Sequence, residues 1–217
     1  MAETTYQEER AGTEDGVLSL RRSPAQDLAE EMAAAASAQV GLREVPYAVM
    51  TALRVAPGSA AAQRVEHVLG CPLPAGVGEV TSAGARSVLW LAPDEFLTWS
   101  PDGSLDPALA AQELAAGVGG DRGQAVDVSS NRTTLELSGP RAASVLAKSV
   151  AMDLHDSAWP AGRAHATLVA GIPAVVWRVE QDTYRVLPRS SFAEHLARWL
   201  LDGMAEFADP AAEPLWR

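Results

Sequence analysis

Residues 163–187 read RAHATLVAGIPAVVWRVEQDTYRVL. Two apolar, strand-forming runs, Arg163 to Val169 and Ile172 to Val179, flank Ala170-Gly171, which is the pattern of a hairpin. A third run, Asp182 to Leu187, supplies another strand. A helix follows at once. Ser191 and Glu194 stand at capping-box spacing, and Phe192, Leu196, Trp199, Leu200 and Phe207 recur at helical spacing as one apolar stripe. Hairpins interleaved with helices favour an α+β fold over a doubly wound parallel sheet.

Upstream, Val126 to Val128 reads as extended and Thr133 to Leu137 alternates as a strand. Ser138-Gly139-Pro140 opens a helix with Ala143, Leu146, Ala147 and Val150 on one face. The first half repeats this grammar. Ala25 to Val40 is built from helix formers, with Asp27, Glu30 and Glu31 near its start, where the helix dipole favours anions, and Gly41 to end it. Val45 to Val55 alternates through Tyr47, Val49, Thr51, Leu53 and Val55 as one strand. Ser59 caps a helix through Leu69. Arg86 to Leu91 and Glu95 to Ser100 are short strands, Pro101-Asp102-Gly103 a turn, and Asp106-Pro107 the cap and first residue of a helix to about Ala116. The loop Gly117 to Gly123 is the natural seam. The expected organisation is therefore two small lobes of antiparallel strands with packed helices, 17–123 and 124–209, between a flexible acidic tail at 1–16 and a C-terminal tail at 210–217.

Composition narrows the function. With a net charge of −11 the chain is a poor ligand for phosphate backbones, so general nucleic-acid binding is not expected. A single cysteine, Cys71, rules out an intramolecular disulfide and a cysteine-built zinc cage. No apolar run approaches the ~20 residues of a membrane span, and the polar N-terminus has no signal-peptide core; a cytoplasmic location is expected. All the basic residues but Lys148 are arginine, which GC-rich coding explains.

Catalytic patterns are mostly absent. His67, His155, His165 and His195 never stand at helical ligand spacing. The glycines of Gly117–Gly123 fail the dinucleotide pattern, because Arg122 occupies the third position and the run follows a helix. Cys71, between Gly70 and Pro72, reads as a buried, inert thiol. Asp94/Glu95 and Asp153/Asp156 define no acid–base pair. Of the six tryptophans, Trp159 and Trp216 lie in irregular segments, and exposed tryptophans in such segments suit protein interfaces. Trp159 with Arg163, in SAWPAGR, is the expected partner interface. No catalytic, cofactor-binding or metal-binding residue is assigned.

The run VDVSSNRTTLELSGPRAASVLAKSVAMDLHDSAWPAGRAHATLVAGIPAVVWRV, with YRVLPRSSFAEHLARWLLDGMAEF, resembles the gamma subunit of bacterial heterotetrameric sarcosine oxidase. GLREVPYAVMTALRV, LGCPLP and SVLWLAPDEFLTWSPDG agree in the first half. The resemblance runs from about Gly41 to Phe207, with a weaker start at Leu18-Ser19-Leu20. It implies a complex of alpha, beta, gamma and delta subunits that oxidatively demethylates sarcosine to glycine, forms hydrogen peroxide and passes the one-carbon unit to tetrahydrofolate. FAD, FMN and NAD would be held by alpha and beta, zinc by delta, and none of them by this chain.

The implied fold is similar to the folate-binding lobes of aminomethyltransferases, whose signature DVSSNRTTLELSGPRAASVL echoes. Their Gly-Tyr-Thr-Gly-Glu-x-Gly-Phe-Glu strand is replaced here by Val179 to Leu187, without the acidic signature after a glycine turn. Folate binding and catalysis are therefore not carried over to any residue. The expected role is a non-catalytic scaffold for alpha and beta; the alternative is a stand-alone folate-binding or aminomethyltransferase-like protein.

Overall fold

Both residues of the Ala170-Gly171 turn have positive φ, 51° and 77°, the sign that a two-residue type I′ hairpin requires. The hairpin forms as its sequence demands, and the rest of the chain assembles around it. The computed structural model describes residues 20–101 and 106–208. The expected tails, Leu18-Ser19, the turn at Asp102-Gly103 and Trp216 lie outside the described residues.

In chain order the elements are α1 (Ala29–Ala34), β1 (Gly41–Val45), β2 (Val49–Val55), α2 (Ala60–Leu69), β3 (Val80–Ala83), β4 (Arg86–Ala92), β5 (Glu95–Ser100), α3 (Pro107–Val118), β6 (Gly123–Asp127), β7 (Thr134–Ser138), α4 (Ala142–Ala147), β8 (Arg163–Val169), β9 (Ile172–Glu180), β10 (Thr183–Pro188) and α5 (Ala193–Met204). They form two antiparallel sheets, ordered β1-β7-β10-β9-β8 and β3-β4-β5-β2-β6. The fold is α+β, as expected.

The two sheets do not divide the chain at residue 123. Strand β1, from the first half, pairs with β7, and β6, from beyond the seam, pairs with β2. The segment read as one strand from Val45 to Val55 is broken at Tyr47, whose φ of 57° turns the chain from one sheet into the other. An aromatic residue rarely adopts that backbone, so alternation alone could not reveal the break.

Period-two alternation sends successive side chains to opposite faces of each sheet, and this creates three cores. On β9, Ala174 and Val176 face α1 and α5, in a core with Leu135, Leu137 and Leu196. Their neighbours Val175 and Trp177 join Met50, Leu89, Leu97, Trp99 and Leu187 between the two sheets. On the far side of the second sheet, Leu53, Val55, Val88 and Phe96 pack on Val65 and Leu69 of α2 and Leu114 and Val118 of α3. The layers are thus helices, sheet, sheet, helices.

Helix ends follow their sequences unevenly. The Ser59 hydroxyl accepts from Ala62 N at 3.1 Å, and Gly70 closes α2 at φ 75°. Asp106 accepts from Leu109 N at 2.9 Å. Two expectations are corrected. Helix α1 stops at Ala34, well before Gly41, because the Ser37 hydroxyl takes the amides of Gln39 and Val40 into a turn. The capping box at Ser191 does not form. The chain enters α5 through a 3-10 turn, Ser190–Phe192, with no side-chain cap, and Glu194 instead accepts from Arg198 at 2.7 Å. Ser191 lies inside that turn, so its hydroxyl is not at the helix boundary. The buried stripe of α5 is Ala193, Leu196, Ala197, Leu200 and Met204, while Trp199 is half-buried and Phe192 exposed.

Gly139 has φ 115°, and a Cβ there would lie 2.6 Å from the Gln39 carbonyl oxygen. Gly139→Ala should therefore destabilise the chain by ~1–3 kcal/mol, Ser59→Ala by ~1 kcal/mol, and Ser191→Ala by no more than ~0.5 kcal/mol. Denaturant melts of the three variants check this order.

Candidate functional site

Because the chain changes sheet at residues 46–48 and again at residues 128–133, the two crossovers run side by side and are stitched together. Met50 N donates to the Ser129 hydroxyl at 3.0 Å and Val128 N to Met50 O at 2.9 Å. Ser190 joins them, its amide donating to Asn131 O and its hydroxyl to Ser130 O. The Glu44 carboxylate gathers Ser23, the Ala25 amide and Thr133. Tyr47 donates its hydroxyl to Arg21 O at 2.9 Å, and the Arg21 guanidinium stacks 3.8 Å from the ring centroid. A cleft of about 580 Å³ opens here, lined by Arg21, Tyr47, Asp127, Ser129, Arg132 and Ser190 among others. Its acids are already engaged, Asp127 by the amide and hydroxyl of Ser129 and Asp106 by the α3 cap.

A second polar group gathers around a buried carboxylate between the sheets, with the Arg43 side chain reaching solvent. Glu136, on β7, accepts from Arg43 of β1 and, at 2.9 Å, from Arg185 of β10. Burial alone would raise its pKa, but the hydrogen bonds from Arg43 and Arg185 outweigh it and hold the carboxyl below its ordinary value. The Arg185 guanidinium stacks 4.1 Å from the Trp99 ring, and Trp99 meets Trp177 edge-on at 5.7 Å. Trp99 Nε1 donates to Thr134 Oγ1 at 3.0 Å, tying β5 to β7 across the sheets. The group is a neutralised brace, with both carboxylate oxygens occupied.

Trp159 is not exposed. It is 2% accessible, and its ring sits 5.8 Å from His165 and 5.9 Å from Tyr184. Its carbonyl accepts from Arg178, a buried arginine that also donates to Gln181 O and holds Asp156. The hydrogen bonds from Arg178 and then Gln181 keep the Asp156 carboxyl below its usual range. The loop is irregular in sequence because it folds inward over this arginine. Arg163 is half-exposed, yet its guanidinium donates to Val77 O at 3.1 Å and its backbone bridges Glu79. Together with the bond from Ala164 N to Gly78 O, it fastens the loop before β3 onto β8. The expected pairing of Trp159 and Arg163 as an exposed anchor is thereby corrected: one residue is core and the other holds an internal latch.

His165 packs under Gly78, and burial, then Arg163, lowers its pKa. Among the described residues no group of three histidine, cysteine or acidic side chains could hold a metal, and no helix is long and apolar enough to cross a membrane. Cys71 is buried. The braces at Glu136 and Arg178 were missed from the sequence, although a charged residue between Leu135 and Leu137 was a visible signal.

The layered arrangement defines a class. Aminomethyltransferase T of the glycine cleavage system from Bartonella henselae superposes with a TM-score of 0.57 at 19% identity, over 80% of this chain and 48% of that one; this shows a shared fold. The family model for the sarcosine oxidase gamma subunit matches residues 53–206. Sarcosine oxidase subunit gamma of an Arthrobacter species is 50% identical over 194 residues, 88% of this chain and 94% of that one. The corresponding subunit of Corynebacterium sp. strain P-1 is 45% identical over 197 residues, 89% and 95% of the two chains. A chain of the solved heterotetrameric sarcosine oxidase from Corynebacterium sp. U-96, in complex with pyrrole 2-carboxylate, superposes with a TM-score of 0.83 at 42% identity, covering 89% of this chain and 100% of that one. The chain belongs to the sarcosine oxidase gamma subunit family, a family of oxidoreductase subunits.

The residues of β9 and β10 do not fit the folate signature of the methyltransferases. Set against Val179 to Leu187, the acids of that signature fall on Thr183 and Leu187, neither of which carries a carboxylate. No step through folate is derived for this chain.

Two outcomes test these assignments. Trp159→Ala should cost the isolated chain ~3–5 kcal/mol, read by denaturant melts. Glu136→Gln should cost ~2–3 kcal/mol at neutral pH. Because the folded pKa of Glu136 lies below the unfolded one, its stabilisation is complete above the unfolded value and is lost as pH falls through the folded value. The variant should therefore lose part of the acid-side fall in stability that the parent shows in melts between neutral pH and pH ~3.

Proposed function

We propose that this chain is the gamma subunit of a heterotetrameric sarcosine oxidase and serves there as a non-catalytic scaffold for the alpha and beta subunits, with delta completing the assembly in the cytoplasm. The complex would oxidise sarcosine to glycine, reduce oxygen to hydrogen peroxide and pass the one-carbon unit to tetrahydrofolate. FAD, FMN, NAD, tetrahydrofolate and zinc belong in this reading to the partner subunits. What such a subunit contributes is rigid surface that fixes the domains of its neighbours.

The observation that carries the scaffold reading is the β9–β10 turn. Thr183 and Leu187 stand where the methyltransferase pattern has its glutamates, and the turn before them is a brace, its Gln181 O and Asp182 O engaged by Arg178 and Gly139. The braces at Glu136 and Asp156 fit the same picture, since each carboxylate is held by an arginine, Arg185 or Arg178, that is itself packed on an aromatic ring.

Co-expression with the flavin-binding subunits tests this reading. The expected outcome is a co-purifying yellow complex, with the chain alone carrying no flavin absorbance after gel filtration. Flavin retained by the isolated chain, or folate bound by it in the absence of partners, would favour the stand-alone protein instead.

A further inference from the structure

Many of the arginines of this acidic chain are neutralised from within. Arg43, Arg54, Arg64, Arg178, Arg185 and Arg198 each hold a carboxylate of the same chain. Arg132 and Arg189 are not among them, and they are set apart by their placement. They face each other across an isolated antiparallel bridge, where side chains project to the same side and like charges directly opposite are destabilising. Neither forms an ion pair among the described residues. Arg132 is half-buried; one of its nitrogens donates to Leu187 O at 2.9 Å, and its other donors are unused among the described residues. Burial, and then the charge of Arg189, push its guanidinium below the ordinary value, while Glu95, the acid that acts on it from a distance, is bonded to Arg54.

Arg132 lines the cleft between the crossovers, beside Ser130, whose hydroxyl makes no bond among the described residues, and Ser190, the neighbour of Arg189. A like-charge pair held in register by backbone is an unfavourable element that an anion relieves. A guanidinium with free donors binds a carboxylate in a fixed fork geometry. In a chain of net charge −11 such a spot is a local exception to the overall repulsion that an acidic partner would meet, which suits it to fixing the register of a contact.

We propose that Arg132 and Arg189, with Ser130, form the seat for a carboxylate side chain of an acidic segment on a partner subunit of the oxidase. The inference builds on the subunit reading above and adds where and by what chemistry the chain engages its neighbour.

The experiment exploits the single natural lysine, Lys148. In the co-expressed complex, Arg189→Lys keeps the charge and places one amine at the seat. Zero-length coupling with a water-soluble carbodiimide should then join residue 189 to an aspartate or glutamate of a partner subunit, located by mass spectrometry and missing from the parent complex. A coupling instead to an acid within residues 1–16 of the same chain, or none in an intact complex, overturns the proposal.

In parallel, Arg132→Gln with Arg189→Gln should weaken co-purification roughly tenfold, with the loss largest at low salt. The melting temperature of the isolated chain should stay unchanged or rise as the like-charge pair disappears. If Arg132→Gln disturbs folding, Arg189→Gln alone, at an exposed position, carries the same test. A parent chain that fails to co-purify would overturn the subunit reading itself. A parent that co-purifies alongside a double variant that does so equally well would overturn only the seat.

Discussion

The chain changes sheet twice, near Tyr47 and near Ser129, and both changes are pinned to one another by hydrogen bonds between Met50, Val128 and Ser129. The remaining architecture depends on this double crossing. It delivers β1 to the edge beside β7 and β6 to the edge beside β2. It also brings Glu44, Arg21 and the Ser190 turn to a common point, and it leaves the cleft between the two links. Tyr47 can hold a positive φ because its hydroxyl and ring are both gripped by the Arg21 segment. Such strain of ~1–3 kcal/mol persists only where surrounding contacts over-determine it.

Between the sheets the packing is not purely apolar. The Glu136 carboxylate, Arg185 and the Trp99–Trp177 pair occupy the layer where two hydrophobic faces would otherwise slide on one another, and Arg43 meets the carboxylate from the solvent side. Apolar contact is non-directional, whereas a guanidinium bonded to a carboxylate and stacked on an indole admits few arrangements. The charged brace therefore sets the relative position of the sheets, while Met50, Leu89, Leu97 and Leu187 supply the burial around it. Arg178 performs the equivalent task at the far edge, where it holds the Trp159 loop closed over Tyr184.

Much of this was legible in the sequence because it is local. The hairpin at Ala170-Gly171 and the caps at Ser59 and Asp106 are decided by a few neighbouring residues and stand where expected, and the strand read at Thr133 to Leu137 forms one residue later, at Thr134–Ser138. What sequence reading missed depends on contacts far along the chain. The capping spacing of Ser191 and Glu194 was a genuine pattern, but the preceding turn is set by Asn131 and Ser130, which take both the amide and the hydroxyl of Ser190. The loop around Trp159 looked exposed because nothing nearby announces that Arg178 will draw it inward. The family resemblance was carried by the order of elements, and so it survived these local errors. The exposure expected of Trp159 rested on one loop's appearance and did not survive.

The exchanged strands also constrain how the molecule can be made. Strand β1 pairs with β7, and Arg43 meets Glu136 across 93 residues of chain. At the pace of translation, roughly 5–20 s separate the emergence of one partner from that of the other. For that interval the ribosome holds a nascent chain whose β1 has no neighbour and whose second sheet lacks β6. Neither half can finish folding first, and an early exposed strand edge is a template for self-association. The time between its appearance and the arrival of β7 is when a chaperone, or a large subunit translated alongside, has most to contribute to the yield of folded protein.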